Sequence, residues 1–286
     1  MASGYSSIRQ FMPPVSSNSR RGCTRQYSGP RKIAARTNRR EAMAGNILEV
    51  RNLTKSFGGL KAVNDLTFDV KEGELLGIAG PNGSGKSTLF NVMTKIPFGP
   101  TGGEVVFGNQ RIDRMPPHRI AALGLARTFQ KDAEFPDLSA RETVALAAVY
   151  GRKLSRAGAM AATEEQLHAV QFDPARADMP TTELSVFDRK QLMIASALVM
   201  QPRVLMLDEP ASGLTRPEIT ALDALLCKIA ASGVTIMLIE HVLSLLLSVA
   251  QRLIVLNQGS LLAEGDPQTV IKNPAVVEAY LGGRAA

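Results

Sequence analysis

A run of small residues closing on a lysine and a hydroxyl, Gly80-Pro81-Asn82-Gly83-Ser84-Gly85-Lys86-Ser87, is where this sequence is best equipped to do chemistry. It fits the spacing G-x-x-x-x-G-K-[ST] in full. The glycines let successive backbone N–H groups turn toward one centre, and a helix starting near Lys86 adds its positive end. A polyphosphate suits such a concavity. Lys86 would reach the terminal phosphates, the Ser87 hydroxyl would ligate Mg²⁺, and Thr88 follows in the first helical turn. The bland alternative is a chance Gly-rich turn. The apolar run at 75–79 before the loop and the helical pattern at 86–95 after it weigh against that alternative.

Two further places could act on a bound phosphate. The apolar segment at 204–208, VLMLD, ends in Asp208 and is followed by Glu209. In a phosphate-loop protein the first acid holds the water shell of Mg²⁺. The second then stands close enough to take a proton from an attacking water. Acids also cap strand ends before turns, but four apolar residues before this pair make a buried strand aimed at a ligand the better reading. His241 ends another apolar segment with Glu240 before it. A strand end of that kind lies on the ligand edge of an open α/β sheet, where a histidine contacts the γ-phosphate or the attacking water. A helix-capping or surface histidine remains the alternative. His118 and His168 have no comparable setting.

The elements that must position these groups alternate. Strands are expected at 47–51 and 63–70 with FGGLK between them, and at 75–79, where all five residues are apolar. A hairpin is expected in EVVFGNQRI. A mostly helical stretch covers about 133–200, with helices at 139–150 and 161–170, a polar link at 171–183, and a helix capped by Ser185 that runs to about Met200. Strand, turn and helix then repeat: 204–208, 217–231, 234–239, 241–250, 252–256 and 260–265, with a terminal helix in IKNPAVVEAYLG. Such alternation gives an α/β fold with a largely parallel core sheet.

Composition sets the outer limits. The chain has 286 residues, 45% of them hydrophobic, enough for one large domain. The net charge of +7 comes from the first 40 residues, which hold nine Arg or Lys and no acid; the remainder has 24 basic and 26 acidic residues. The body therefore offers no electrostatic footprint for nucleic acid. Residues 1–45 read as a disordered basic tail: an idle extension or a mis-set start ahead of Met43, a transit-like segment, or a functional basic arm. Two cysteines, Cys23 and Cys227, make neither a disulfide scaffold nor a metal site. No run reaches the ~18 apolar residues that span a bilayer, and 242–250 reads as a buried helix.

Over about 47–283 the motifs, taken in order, resemble those of the nucleotide-binding subunits of ABC transporters, with the branched-chain amino acid uptake group the nearest likeness. TKSFGGLKAV carries the adenine-stacking aromatic at Phe57, GPNGSGKS is the phosphate loop, and ARTFQ places the Q-loop glutamine at Gln130. VLMLDEP carries the catalytic glutamate at Glu209, ASGLT at 211–215 occupies the D-loop, and LIEH puts the switch histidine at His241. The stretches PTGGEVVFGNQRI, PPHRIAALGLARTFQ and NPAVVEAYLG narrow the likeness to the amino acid importers.

The resemblance implies a P-loop NTPase fold over 46–286: a mixed core sheet, an N-terminal antiparallel β subdomain and an inserted helical subdomain at about 133–200. It implies ATP and Mg²⁺ as cofactors, with Gln130 joining Ser87 and Asp208 at the metal. It also implies a second ATP-binding subunit, two transmembrane permease subunits, a solute-binding protein acting indirectly, and a peripheral place on the cytoplasmic face of the plasma (inner) membrane.

One segment departs from the family pattern. Where the signature reads Leu-Ser-Gly-Gly-Gln or Leu-Ser-Tyr-Gly-Gln, this chain has Leu184-Ser185-Val186-Phe187-Asp188. Phe187 replaces a glycine that lets a helix end approach the partner's γ-phosphate, and Asp188 adds a negative charge there. The expectation is a degenerate signature and a heterodimer with two unequal sites; a shifted geometry in which Ser185 still reaches the phosphate is the other reading. A regulatory subunit that binds ATP with little turnover, and a soluble non-transport ABC ATPase, are the competing functions. Intact Glu209 and His241 weigh against the first, and the near-neutral body and single phosphate loop against the second.

Overall fold

The computed structural model describes residues 45–129 and 135–282. The expectations for the tail up to residue 44 and for Gln130 lie outside these residues. Two sheets carry the fold. The first is antiparallel, in the order β2-β1-β4-β5, built from β1 (Asn46–Phe57), β2 (Leu60–Lys71), β4 (Gly102–Phe107) and β5 (Gln110–Arg111). The second has six strands in the order β10-β9-β3-β8-β7-β6. Its members are β3 (Leu75–Ala79), β6 (Leu125–Arg127), β7 (Val204–Asp208), β8 (Thr235–Ile239), β9 (Arg252–Asn257) and β10 (Ser260–Gly265). Strands β6, β7, β8, β3 and β9 run parallel, and β10 pairs antiparallel with β9. The core sheet is thus mixed, as expected.

Nine α-helices, α1 (Lys86–Thr94), α2 (Pro117–Ala122), α3 (Ala140–Arg152), α4 (Arg156–Ala169), α5 (Val186–Leu198), α6 (Arg216–Ala231), α7 (Leu243–Val249), α8 (Pro267–Val270) and α9 (Pro274–Gly282), and two short 3-10 helices, Pro174–Arg176 and Thr181–Glu183, complete the described residues. Among them, no helix is long and apolar enough to cross a membrane.

Every residue of β3, β7 and β8 is buried. Alternation nonetheless divides them between two cores. Leu75, Leu205, Leu207, Ile236 and Leu238 face the side packed by α3–α7. Leu76, Ile78, Val204, Met206, Met237 and Ile239 face α1 and the antiparallel sheet. A sheet covered on both faces needs apolar residues at every position, which explains the unbroken runs in the sequence.

Several element limits differ from the sequence reading. β1 and β2 are longer than 47–51 and 63–70 because irregular pairing near Asn52 and Asp65 hides their alternation. Both residues have positive φ, 48° and 55°, and Asn52 Nδ2 donates to Asp65 Oδ1 at 2.9 Å. α2 and β6 were not expected; at six and three residues they are too short to show a period. α4 starts earlier than 161 because Ser155 caps it, accepting the Gly158 N–H. α7 starts later than 241 because the N–H groups of His241 and Val242 turn instead to the Glu240 carboxylate.

Candidate functional site

Three neighbouring strands, β3, β8 and β7, end on the same edge of the sheet and deliver the chemical groups to one place. The loop after β3 requires its glycines. Gly80, Gly83 and Gly85 have φ of 146°, 79° and 101°. A Cβ on Gly80 would stand 2.2 Å from the Leu256 carbonyl oxygen, and one on Gly85 2.3 Å from that of Ala62. Gly85 is the N-cap of α1, and no side chain caps that helix. Its first-turn N–H groups are thus left for a ligand.

Lys86 is folded back over the loop, donating from Nζ to the carbonyls of Gly80 at 2.8 Å and Pro81 at 3.1 Å. Burial pushes its pKa down, while Glu209 and Asp208 oppose that shift.

The Ser87 hydroxyl donates to Asp208 Oδ1 at 3.3 Å. An oxygen pair of this kind, held beside a phosphate loop, fits Mg²⁺, a hard cation that takes oxygen ligands. The other Asp208 oxygen is held by Arg127, whose Nη2 donates to Oδ2 at 2.8 Å, with side-chain exposures of 5% and 1%. Arg127 also donates from Nη1 to Asn91 Oδ1 at 2.6 Å and lies against the rings of Phe90 and Phe129. Burial pulls the guanidinium pKa down and Asp208 opposes the shift. The sequence reading missed Arg127 and Asn91, because nothing in a three-residue strand marks a buried cation.

Glu209 has a left-handed backbone, φ 51°, which turns the chain away from β7. His241 Nδ1 lies 4.0 Å from Glu209 Oε2 and 3.8 Å from Glu240 Oε2, beyond hydrogen-bond length. Glu240 is fully buried and organises both flanking segments: Oε1 accepts the Ala211 N–H at 2.6 Å, and Oε2 accepts those of His241 and Val242. Burial raises its pKa, and the three N–H donors oppose the rise.

A cleft of about 660 Å³ brings together Phe57, residues 82–88, Glu209 and His241. Phe57 is 44% exposed at its mouth, with Phe98 edge-on at 4.9 Å and Lys55 Nζ over both rings. The buried Ser84 hydroxyl finds no protein partner in the cleft wall. Cleft size, N–H array and oxygen pair all suit a magnesium-bound nucleotide. Of the sequence-derived candidates, Phe57, Asn82, Gly83, Ser84, Gly85, Lys86, Ser87, Thr88, Glu209 and His241 line this cleft, and Gly80, Pro81 and Asp208 hold it from behind. Gln130 falls outside the described residues.

The altered signature segment has a different character from the one its sequence suggests. Ser185 caps α5, and Asp188 completes a reciprocal capping box with it. Asp188 Oδ2 accepts from Arg176 Nη1 at 2.6 Å, and the residue is 4% exposed. Phe187 is half-buried against the helical side of the core. The charge expected to face a phosphate is thus turned inward and ion-paired.

A second, apolar cavity of about 440 Å³ opens between Arg127, Phe129 and the helical subdomain, with Phe135, Leu146, Tyr150 and Met193 in its wall.

Comparison with known proteins follows the same lines. The profile of the ABC transporter family matches residues 63–212. That of the branched-chain amino acid ATP-binding cassette transporters matches 260–286. The chain is 36% identical over 258 residues to the high-affinity branched-chain amino acid transport ATP-binding protein BraF of Pseudomonas aeruginosa, covering 84% of this chain and 99% of that one. Among solved structures it is similar to the ADP conformation of MJ1267, an ATP-binding cassette of an ABC transporter. The TM-score is 0.74 at 29% identity, covering 83% of this chain and 99% of that one. It is also similar to a dimeric, post-hydrolysis state of the cassette MJ0796 bound to ADP and Pi, with a TM-score of 0.70 at 25% identity, covering 77% and 98%.

Proposed function

This chain belongs to the ABC transporter family as an ATP-binding subunit whose hydrolysis of ATP is coupled to transport, and from that premise we propose the role of each residue and the system it serves. ATP lies with its adenine on Phe57 and its phosphates over Gly80, Pro81, Asn82, Gly83, Ser84, Gly85 and the first turn of α1. Lys86 leaves the Gly80 and Pro81 carbonyls to meet the terminal phosphates, and Thr88 follows it on the same turn. Ser87 and Asp208, joined by Gln130, hold Mg²⁺, which when bound neutralises charge on the phosphate oxygens.

Glu209 is the general base that takes the proton from the attacking water. His241 orients that water and the γ-phosphate, its backbone N–H held by the Glu240 carboxylate. A second ATP-binding subunit closing over the cleft would exclude water and add donors.

The solute we propose is a branched-chain amino acid or a related compound, imported through two permease subunits, with a solute-binding protein acting indirectly. Support comes from the match at 260–286 and from BraF. The apolar cavity beside Phe129 suits an apolar permease segment and supports a peripheral place for the chain on the cytoplasmic face of the plasma (inner) membrane. The changed signature favours a heterodimer in which this chain's own Lys86, Asp208, Glu209 and His241 meet a partner's intact signature.

The observation that carries the catalytic reading is the cleft that joins the phosphate loop to Glu209 and His241. Glu209→Gln in the assembled transporter tests it. The amide fills the same space and cannot accept the proton. ATP binding should persist while steady-state phosphate release falls at least 100-fold, ~2.7 kcal/mol of barrier. Release within twofold of wild type removes Glu209 from the base role.

A further inference from the structure

The phosphate loop is tied to the far end of the chain. Gly80, the first residue of the loop, donates its backbone N–H to the Tyr280 hydroxyl at 2.8 Å, across 200 residues of sequence. The acceptor is a side chain, carried by α9. That helix packs on β10 and sends Val276 into the core on the helical side of the sheet. Burial raises the Tyr280 phenol pKa, opposed by the Gly80 N–H, so the hydroxyl is neutral at physiological pH and accepts through an oxygen lone pair.

The peptide it holds is confined from the other side as well. Gly80 has φ 146°, and the space where a Cβ would be is filled by the Leu256 carbonyl and the Ser84 hydroxyl. The Gly80 carbonyl in turn accepts from Lys86 Nζ. One glycine thus has its N–H on Tyr280 and its carbonyl on the lysine that must meet the phosphates. When Lys86 leaves for a phosphate, the carbonyl restraint is lost. The Tyr280 bond is then the side-chain restraint that remains on this glycine, at the moment when the N–H groups after it must hold their aim.

We propose that Tyr280 is a positioning residue of the nucleotide site, and that α9 is a latch on the phosphate loop whose engagement sets how tightly ATP is held. This rests on the reading of the loop as an ATP site and deepens it. It makes the C-terminal helix a control element: anything that lifts α9 lowers nucleotide affinity without touching a residue in the cleft. A buried N–H stripped of its acceptor is costly, and a glycine in this conformation has neighbouring conformations to escape to.

The test is Tyr280→Phe in the full chain, which removes one oxygen and keeps the ring. ATP affinity is read by titration with a fluorescent ribose-labelled ATP analogue, and thermal stability is read in parallel without nucleotide. The expected result is an affinity about tenfold weaker, ~1.4 kcal/mol, measured well below the melting temperature of either protein. A variant within twofold of wild type overturns the latch. So does a variant whose melting temperature falls while its affinity at low temperature is unchanged, because the phenol is then only a structural prop. If the wild-type chain itself fails to bind the analogue, the reading of the loop fails first, and that outcome is distinct from both. In the assembled transporter the same substitution should raise KM for ATP about tenfold with kcat within about threefold; a fall in kcat at unchanged KM counts against the proposal.

Discussion

Removing the Arg127 guanidinium should destabilise the folded chain more than most single substitutions can. Arg127 and Asp208 meet at 2.8 Å with side-chain exposures of 5% and 1%, so neither charge has water to fall back on. At that distance their attraction is about 6 kcal/mol for an effective dielectric constant of about 20. Desolvation consumes much of this, and Arg127 Nε, buried without a protein acceptor, adds to the cost. The pair as a whole is therefore not strongly stabilising. Arg127→Met, however, strips a buried carboxylate of its ion-pair partner, and breaking a pair in this way costs about 3–5 kcal/mol. Against a total stability of roughly 5–15 kcal/mol that is a large fraction, and for a domain of this size it lowers Tm by on the order of 10 °C. Asp208→Asn in the same chain removes the stranded charge and should recover at least half of the loss. The assay is urea unfolding of the four proteins of the double-mutant cycle, without nucleotide or Mg²⁺, because a bound cation would itself compensate Asp208. A loss below about 1 kcal/mol for Arg127→Met, or additive effects of the two substitutions, would refute the reasoning.

Lys86→Ala should weaken ATP binding and abolish turnover together, each by roughly 100-fold, since one cation serves the ground state and the transition state; turnover within twofold of wild type, measured as phosphate release by the assembled transporter, would contradict this. Asp188→Ala should lower stability by ~1–2 kcal/mol in a denaturant titration, because it removes the side-chain half of the capping box with Ser185 and the ion pair with Arg176. Unchanged stability would mean that the inward-turned carboxylate contributes nothing to the helix end.

What the sequence made legible was local or carried by uninterrupted apolar runs. The phosphate loop announces itself because glycine spacing, lysine and hydroxyl stand within eight residues, and the structure forbids a side chain at Gly80 and Gly85. β3, β7 and β8 were readable because strands buried on both faces leave no polar interruptions. The groups that escaped notice act over long separations. Asp208 meets Arg127 across 81 residues, Glu240 meets Ala211 across 29, and Tyr280 meets Gly80 across 200. No periodicity links such residues. β1 and β2 were under-read for the opposite reason, since their positive-φ irregularities at Asn52 and Asp65 interrupt a period-2 pattern that the pairing nonetheless continues past.

The signature segment is where side-chain chemistry read in isolation misleads most. An aspartate at the start of a helix facing a partner's phosphate suggests repulsion. Here Asp188 instead folds onto Ser185 and Arg176, where the positive end of α5 and a guanidinium both compensate it. Phe187 likewise turns toward the core, and the residue left at the surface in its place is Val186, 37% exposed. Val186 stands beside the D-loop, since a Cβ on Gly213 would lie 3.6 Å from its Cγ1. Any inequality between two sites would therefore be steric in origin rather than electrostatic. A β-branched side chain now occupies the face where the family pattern has a small residue or a tyrosine, and the Ser185 hydroxyl is committed to Asp188. A phosphate approaching this helix end would meet backbone N–H groups behind an isopropyl group, with a hydroxyl that must first break an internal bond. Weak catalysis at the site it would complete is then expected from distance and from donors already engaged, and added salt, which screens charge, should do little to relieve it.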